Sequence, residues 1–338
     1  MVISIVFLWL SLCCIVTTFA DTKIIDINIP NSAWDGNRSL LCNTAPVDPH
    51  QYIISYEPLY RKHTIRHISA VICDHPSHIN QVWDCGQGTY VCENGENEVL
   101  WAMAKDGPGW HLPKEFAVPI GSKKRYLVLQ IHAPPNMKLE STSSFNSTGI
   151  RIGLTDRKPT YRSDIAIYGM IGYIPANAKD FTADAFCWWP FDDTPLYGIS
   201  IHSHTMATAI TGYIYRNNHF IELLRADPAY PEVTIDISSR NITLQSTDIL
   251  IMRCTLTNPN RRDVKFGNDH SDEMCDLYFL YGTKFDAYKK HRHVLCPGDA
   301  QKSDLSKLFA HLPQDSTVPD EEGYKKLLSP FNVTKSTY

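Results

Sequence analysis

The chain has 338 residues, 43% of them hydrophobic, which is enough for one large domain or two of ordinary size. Its formal net charge is −4 at pH 7, so no basic face for nucleic acid is implied. Beyond the amino terminus no segment is long and apolar enough to suggest a stable membrane span.

Taken in order, Ile3 to Val16 is almost wholly apolar, and Thr18-Phe19-Ala20 is a small-x-small cleavage site before Asp21. Residues 1–20 therefore read as a secretory signal peptide, although the basic leading stretch is missing. Cys13 and Cys14 leave with it. Eight cysteines remain: Cys42, Cys73, Cys85, Cys92, Cys187, Cys254, Cys275 and Cys296. An even count in a secreted chain argues for four disulfides, and the count leaves their pairing open. Glycosylation sequons at Asn37, Asn146, Asn241 and Asn332 agree with a secreted protein or one held in the secretory lumen.

Lys23 to Ile29 alternates apolar and polar residues and opens the fold as a strand. Asn31 to Arg38 is a turn-rich loop. Strands follow at Tyr52 to Tyr56 and Thr64 to Cys73. Residues 74–98 form a long Gly-, Asn- and Cys-rich loop for two disulfides to hold. Tyr126 to His132 is a strong strand that Pro134-Pro135 ends. Ile150 to Leu154 and Asp164 to Ile174 are further strands. Many short strands with no long helical pattern predict an all-β chain built of antiparallel jelly-roll or β-sandwich domains. The polar stretch Thr155 to Thr160 is the candidate linker, giving domains at 21–154 and 155–300. Residues 301–338 read as a loosely ordered polar tail with one short amphipathic piece (Leu305, Leu308, Phe309, Leu312). Trp188 and Trp189 are expected in the core. His75, His78, His270, His291 and His293 are expected to be solvated loop residues.

Gly198 to Met206 reads as a strand on which apolar Ile199 and Ile201 alternate with Ser200, His202 and His204. Alternate side chains share a face, so two imidazoles stand one strand repeat apart and can close on one metal ion. Ser271 to Phe279 reads as a second strand, with Met274, Asp276 and Tyr278 on one face. Two imidazoles and a thioether would point to copper, because soft sulfur selects Cu(I) and imidazole suits both oxidation states.

These residues carry a resemblance. Asp272-Glu273-Met274-Cys275-Asp276-Leu277-Tyr278 closely resembles the methionine-ligand strand of the copper type II, ascorbate-dependent monooxygenases. Its nearest members hydroxylate peptidyl-glycine. His202-Ser203-His204 with Gly212-Tyr213 looks like that family's His-Thr-His strand. Leu129-Gln130-Ile131-His132 looks like its Leu-Gln-Val-His strand, and Thr64-Ile65-Arg66-His67 before Cys73 looks like the segment carrying its His-His pair. The match runs in order from about residue 24 to 300.

The resemblance implies two antiparallel jelly-roll domains, each holding one copper, with a solvent-filled gap between the metals. It implies the disulfides Cys42–Cys85, Cys73–Cys92, Cys187–Cys296 and Cys254–Cys275. The second-domain copper, where dioxygen binds and the C–H bond is broken, would be held by His202, His204 and Met274. The first-domain copper, which takes electrons from ascorbate, would be held by His67 and His132. Tyr278 matches a pocket-lining residue. The implied activity is hydroxylation of the α-carbon of a carboxy-terminal glycine in a glycine-extended peptide, the first step of peptide amidation. The resemblance reaches only the family's hydroxylase portion, so a separate lyase is expected to complete it.

Three positions depart from the family pattern. Arg66 replaces one histidine of the first-domain pair, and a guanidinium has no lone pair to give copper. His63 lies four residues from His67, roughly 13 Å away at about 3.3 Å per residue, and cannot replace it unless the backbone breaks. Ser200 stands where the peptide hydroxylases use an arginine for the substrate carboxylate. Asp276 stands in place of an asparagine. Losing a cation and gaining an anion favours an amine over a carboxylate, unless a cation such as Arg253 neutralises Asp276. The alternatives are thus an amine-hydroxylating relative, or a non-catalytic secreted protein that binds copper or peptide and has a defective electron-transfer site.

Overall fold

The computed structural model describes residues 22–335 apart from 87–90, 94–97, 105, 122–124, 135, 141–145, 268–271, 286–293 and 300–305. The expected signal peptide with Cys13 and Cys14, and the loop histidines His270, His291 and His293, lie outside the described residues.

The described chain is all-β, and three sheets make two sandwiches. The longest sheet has eleven strands. Its main path runs Lys23–Pro30, Ser147–Thr155, Tyr52–Leu59, Phe116–Pro119, Tyr161–Ile171, Cys275–Lys284, Thr194–Ser203 and Ile235–Asp236. Alternation along these strands turns one face inward. Ile27, Ile29, Ile53, Ile150 and Ile152 therefore meet Leu41, Ile68, Leu127, Leu129 and Trp101 of a five-stranded sheet in one buried cluster. That sheet orders Trp83–Asp84, Leu40–Pro46, Tyr126–His132, His67–Cys73 and Glu98–Ala104. A second cluster lies between the other half of the long sheet and a four-stranded sheet of Phe181–Trp188, Ile249–Leu256, Ala207–Arg216 and His219–Ala226. Gly212 lets these layers approach closely, since a Cβ there would lie 2.7 Å from Leu277.

The halves share backbone as well as side chains. Phe116–Pro119 pairs antiparallel with Tyr52–Leu59 and parallel with Tyr161–Ile171. Tyr197, on Thr194–Ser203, is fully buried in the first core, with its ring centroid 4.1 Å from that of Phe116. This continuity, with the five-stranded sheet packed on it, sets where the strands that carry the histidines stand.

Disulfides join Cys42 to Cys85, Cys73 to Cys92, Cys187 to Cys296 and Cys254 to Cys275. The first two tie part of the 74–98 loop to neighbouring strands. The four sequon asparagines are all exposed.

Two expectations need correction. Trp189 is buried but Trp188 is 58% exposed, because consecutive residues at a strand end face opposite ways. The carboxy-terminal segment, read as loosely ordered, is packed. Phe309 and Leu312 cover Tyr213 and Ile251 on the outer face of the four-stranded sheet. The helix Glu321–Leu328, capped by the Asp320 carboxylate accepting from Gly323 N–H at 3.0 Å, buries Tyr324 and Leu328 in the second core. Arg253 clamps Asp184 at 2.7 and 2.9 Å and also donates to Ser316 Oγ at 3.0 Å. A sheet whose outer face carries Tyr213 and Ile251 needs a cover, and this segment provides it.

Leu328→Ala should therefore lower the unfolding free energy by about 2–5 kcal/mol, read as a fall in the thermal midpoint. A segment that did not pack would leave the midpoint unchanged.

Candidate metal centre

The second-domain half of the site is built by one antiparallel pairing. Thr194–Ser203 lies beside Cys275–Lys284 with Ser200 opposite Tyr278, His202 opposite Asp276 and Ser203 opposite Cys275. His204 follows in line, its backbone N–H donating to the Met274 carbonyl at 3.3 Å. Ser200, His202 and His204 therefore share a face with Tyr278, Asp276 and Met274. The strand begins at Cys275, so Met274 stands one residue before it.

The first-domain half comes from His67–Cys73 and Tyr126–His132, where His67 and His132 are direct cross-strand partners. Their ring centroids are 5.5 Å apart. The His67 ring is closer still to His202, at 5.2 Å, and lies 6.2 Å from His204. Ligand nitrogens of His67, His202 and His204 all fall within 4.8 Å of one another. The expected solvent gap therefore does not separate His67 from the second-domain pair. One cavity of about 450 Å³ takes in His67, His132, Gln130, Ser200, His202, Met274 and Tyr278. That volume lies in the range of small-molecule sites.

Groups behind the histidines fix their tautomers. His202 Nδ1 lies 2.6 Å from the Glu232 carboxylate, and His204 Nδ1 donates to the Asp272 carbonyl at 2.8 Å. Carboxylates and carbonyls only accept, so in the neutral rings Nδ1 carries the proton and Nε2 the lone pair. The buried Glu273 carboxylate accepts from the backbone N–H groups of His204, Thr205, Met206 and Met274 at 2.7, 3.0, 2.8 and 3.2 Å. It locks the end of one ligand strand to the start of the other. Burial, reinforced by the neighbouring His202, drives His67 down to about 3, and burial also lowers His204. Both rings are thereby neutral and able to ligate. Three imidazoles with a thioether in the same cavity fit copper in both oxidation states.

Sequence reasoning missed Glu232 and Glu273. Glu232 sits on a loop 30 residues from His202 and has no spacing signal. Glu273 could have been found from its place beside Met274, on the face opposite the ligands.

The substrate-side residues fall in two groups. Ser200 and Tyr278 line the cavity. Asp276 sits behind them and is buried, accepting from Tyr278 O–H at 3.1 Å. A Cβ at Gly169 would lie 2.8 Å from the Asp276 carboxylate, so the missing side chain makes its room. Burial pushes Asp276 up to about 6, opposed by His202 and by the Tyr278 hydroxyl. Arg253 does not neutralise it, being engaged with Asp184. No Lys or Arg occurs among the described residues lining the cavity. Arg66 is exposed and outside it. The backbone does turn at His63, which has φ 64°, but its ring pairs with Asp106 at 3.1 Å and takes no part. His75 and His78 are exposed loop residues.

Comparison with known proteins agrees with this geometry. Residues 25–138 match the family described as copper type II ascorbate-dependent monooxygenase, N-terminal domain, and residues 161–307 match its C-terminal domain. Peptidyl-glycine alpha-amidating monooxygenase B of Xenopus laevis is 25% identical over 301 residues, covering 87% of this chain and 33% of that protein. Peptidylglycine alpha-amidating monooxygenase of Rattus norvegicus is 25% identical, covering 87% of this chain and 30% of that protein. The chain thus spans about a third of the length of these relatives. Among solved structures, the major capsid protein P2 from Bacteriophage PM2 aligns at a TM-score of 0.36 and 10% identity over 78% of this chain and 98% of that one, too slight a likeness to carry an argument.

If Glu232 orients His202 for a metal, Glu232→Ala should weaken Cu(I) binding about 10–100-fold in a competition titration. Unchanged affinity would make the contact purely structural. With both domain profiles matched over most of its length, the chain belongs to the copper type II ascorbate-dependent monooxygenase family.

Proposed function

We propose that the protein is a secreted or secretory-lumen copper monooxygenase that hydroxylates the α-carbon of a carboxy-terminal glycine in peptides, with ascorbate as reductant. The observation that carries the reading is the cavity in which His202, Met274 and Tyr278 face His67 and His132. The relatives' printed names supply the peptidyl-glycine class. Copper, when bound, would supply the one-electron chemistry by which dioxygen and two ascorbate electrons yield a hydroxylated carbon and water.

The chain's own residues set the rest. His202 and His204 present Nε2 because Glu232 and the Asp272 carbonyl hold Nδ1. Tyr278, tethered by Asp276, fixes one wall of the pocket beside Met274. Ser200, opposite Tyr278, offers a hydroxyl where the peptide hydroxylases carry an arginine.

A second reading, hydroxylation of an amine, is favoured by one observation. The cavity is lined by Glu232 and backed by Asp276, with no described Lys or Arg on its wall. A carboxylate substrate finds no cation there, and an ammonium finds anions.

The copper-loaded full chain, given ascorbate and oxygen, should form a hydroxyglycine product from a glycine-extended peptide, detected by mass spectrometry. Met274→Ala should cut turnover at least about 10-fold while leaving the fold intact. Product from a panel of amines alone would establish the second reading. Copper binding without product from either panel would point to the non-catalytic alternative.

A further inference from the structure

The ligand sets expected of this chain keep each domain's histidines to themselves. The structure groups them differently. His67 of the first domain is nearer to His202 than to its own strand partner His132, at 5.2 against 5.5 Å between centroids. His67, His202 and His204 are the three-residue group whose donor atoms all lie within 4.8 Å of one another. His132 is outside that group.

We propose that one copper ion is held across the domain junction by His67, His202 and His204, so that the first domain completes the second domain's site. This rests on the copper reading above. Imidazole nitrogens around a common ion lie about 2.0–2.1 Å from it, hence about 3–4 Å from one another. The observed limit of 4.8 Å lies just above that spacing. Two of the three rings are oriented for it. His202 and His204 have Nδ1 tied off to Glu232 and to the Asp272 carbonyl. His67 has one imidazole partner on its own sheet among the described cavity residues, His132, and position 66 is arginine. Two imidazoles alone make a poor resting place for Cu(II). A third from across the junction makes a site that serves both oxidation states. Met274 faces the same cavity as a further soft donor, and the shared site makes its thioether auxiliary.

The long sheet runs through both halves and the five-stranded sheet that carries His67 packs on it face to face, so strand register and sheet packing together set the site. Binding at the junction therefore requires residues from both domains in one chain.

The test uses the metal-free full chain, titrated anaerobically with Cu(I) against a chromophoric chelator, followed by X-ray absorption of the loaded protein. The proposal expects one tight Cu(I) per chain with three nitrogen scatterers as the dominant shell. His67→Ala should lower affinity at least about 100-fold, more than loss of an outer-sphere partner, and leave two nitrogens. His132→Ala should leave that affinity unchanged. Two Cu(I) bound independently, or one held by two nitrogens and a sulfur, would overturn the shared site. So would a folded His67→Ala protein that keeps one copper at wild-type affinity. The wild-type stoichiometry and shell decide the matter even if His67→Ala fails to fold. Turnover with two coppers would leave the proposed hydroxylation standing and sink the shared site. One copper on three imidazoles without turnover would do the reverse.

Discussion

The antiparallel pairing of Thr194–Ser203 with Cys275–Lys284 is the constraint on which the rest of the site depends. Its register sets His202 beside Asp276 and Ser200 beside Tyr278, and carries His204 up to Met274. A slip of one residue in either strand would turn its three site side chains into the core and bring Ile199 and Ile201, or Leu277 and Phe279, out to the cavity. The hydrophobic core and the metal centre thus enforce one register. Glu273 adds a local lock, its buried carboxylate gathering four backbone N–H groups where the two ligand strands meet. The disulfide Cys254–Cys275 pins the start of the same strand to the opposite sheet.

The same sheet explains why the domains behave as one site. The path from Tyr52–Leu59 through Phe116–Pro119 to Tyr161–Ile171 is hydrogen-bonded across the sequence boundary between the halves. Tyr197 enters the first core from the second half. Relative position is therefore a consequence of strand pairing within the long sheet and of the five-stranded sheet packed on it, and His67 meets His202 and His204 where these two sheets border one cavity. Electrostatics follow from this burial. The His202 ring meets the Glu232 carboxylate, with Asp276 behind and no guanidinium or ammonium among the described cavity residues.

Much of this was legible in the chain. Alternation at Ile199–Ile201 and around Met274 put Ser200, His202 and His204 on one face and Asp276 and Tyr278 on one face, as the strand pairing has them, because strand periodicity is local. The strand Tyr126–His132 was readable for the same reason. Other features depend on tertiary contacts that no spacing encodes. Glu232 reaches His202 from a distant loop, and the closeness of His67 to His202 comes from the packing of the five-stranded sheet on a long sheet assembled from both halves. The carboxy-terminal cover was misread because Phe309, Leu312, Tyr324 and Leu328 are sparse among polar residues, and their partners Tyr213 and Ile251 lie far back in the chain. Trp188 shows the limit of composition, since an aromatic at a strand end can face either way.

The most direct measurement of the central claim is anomalous scattering at the copper edge from crystals of the copper-loaded chain. A principal peak among His67, His202 and His204 is the predicted result. Separate peaks, one between His67 and His132 and another beside His202, His204 and Met274, would contradict it.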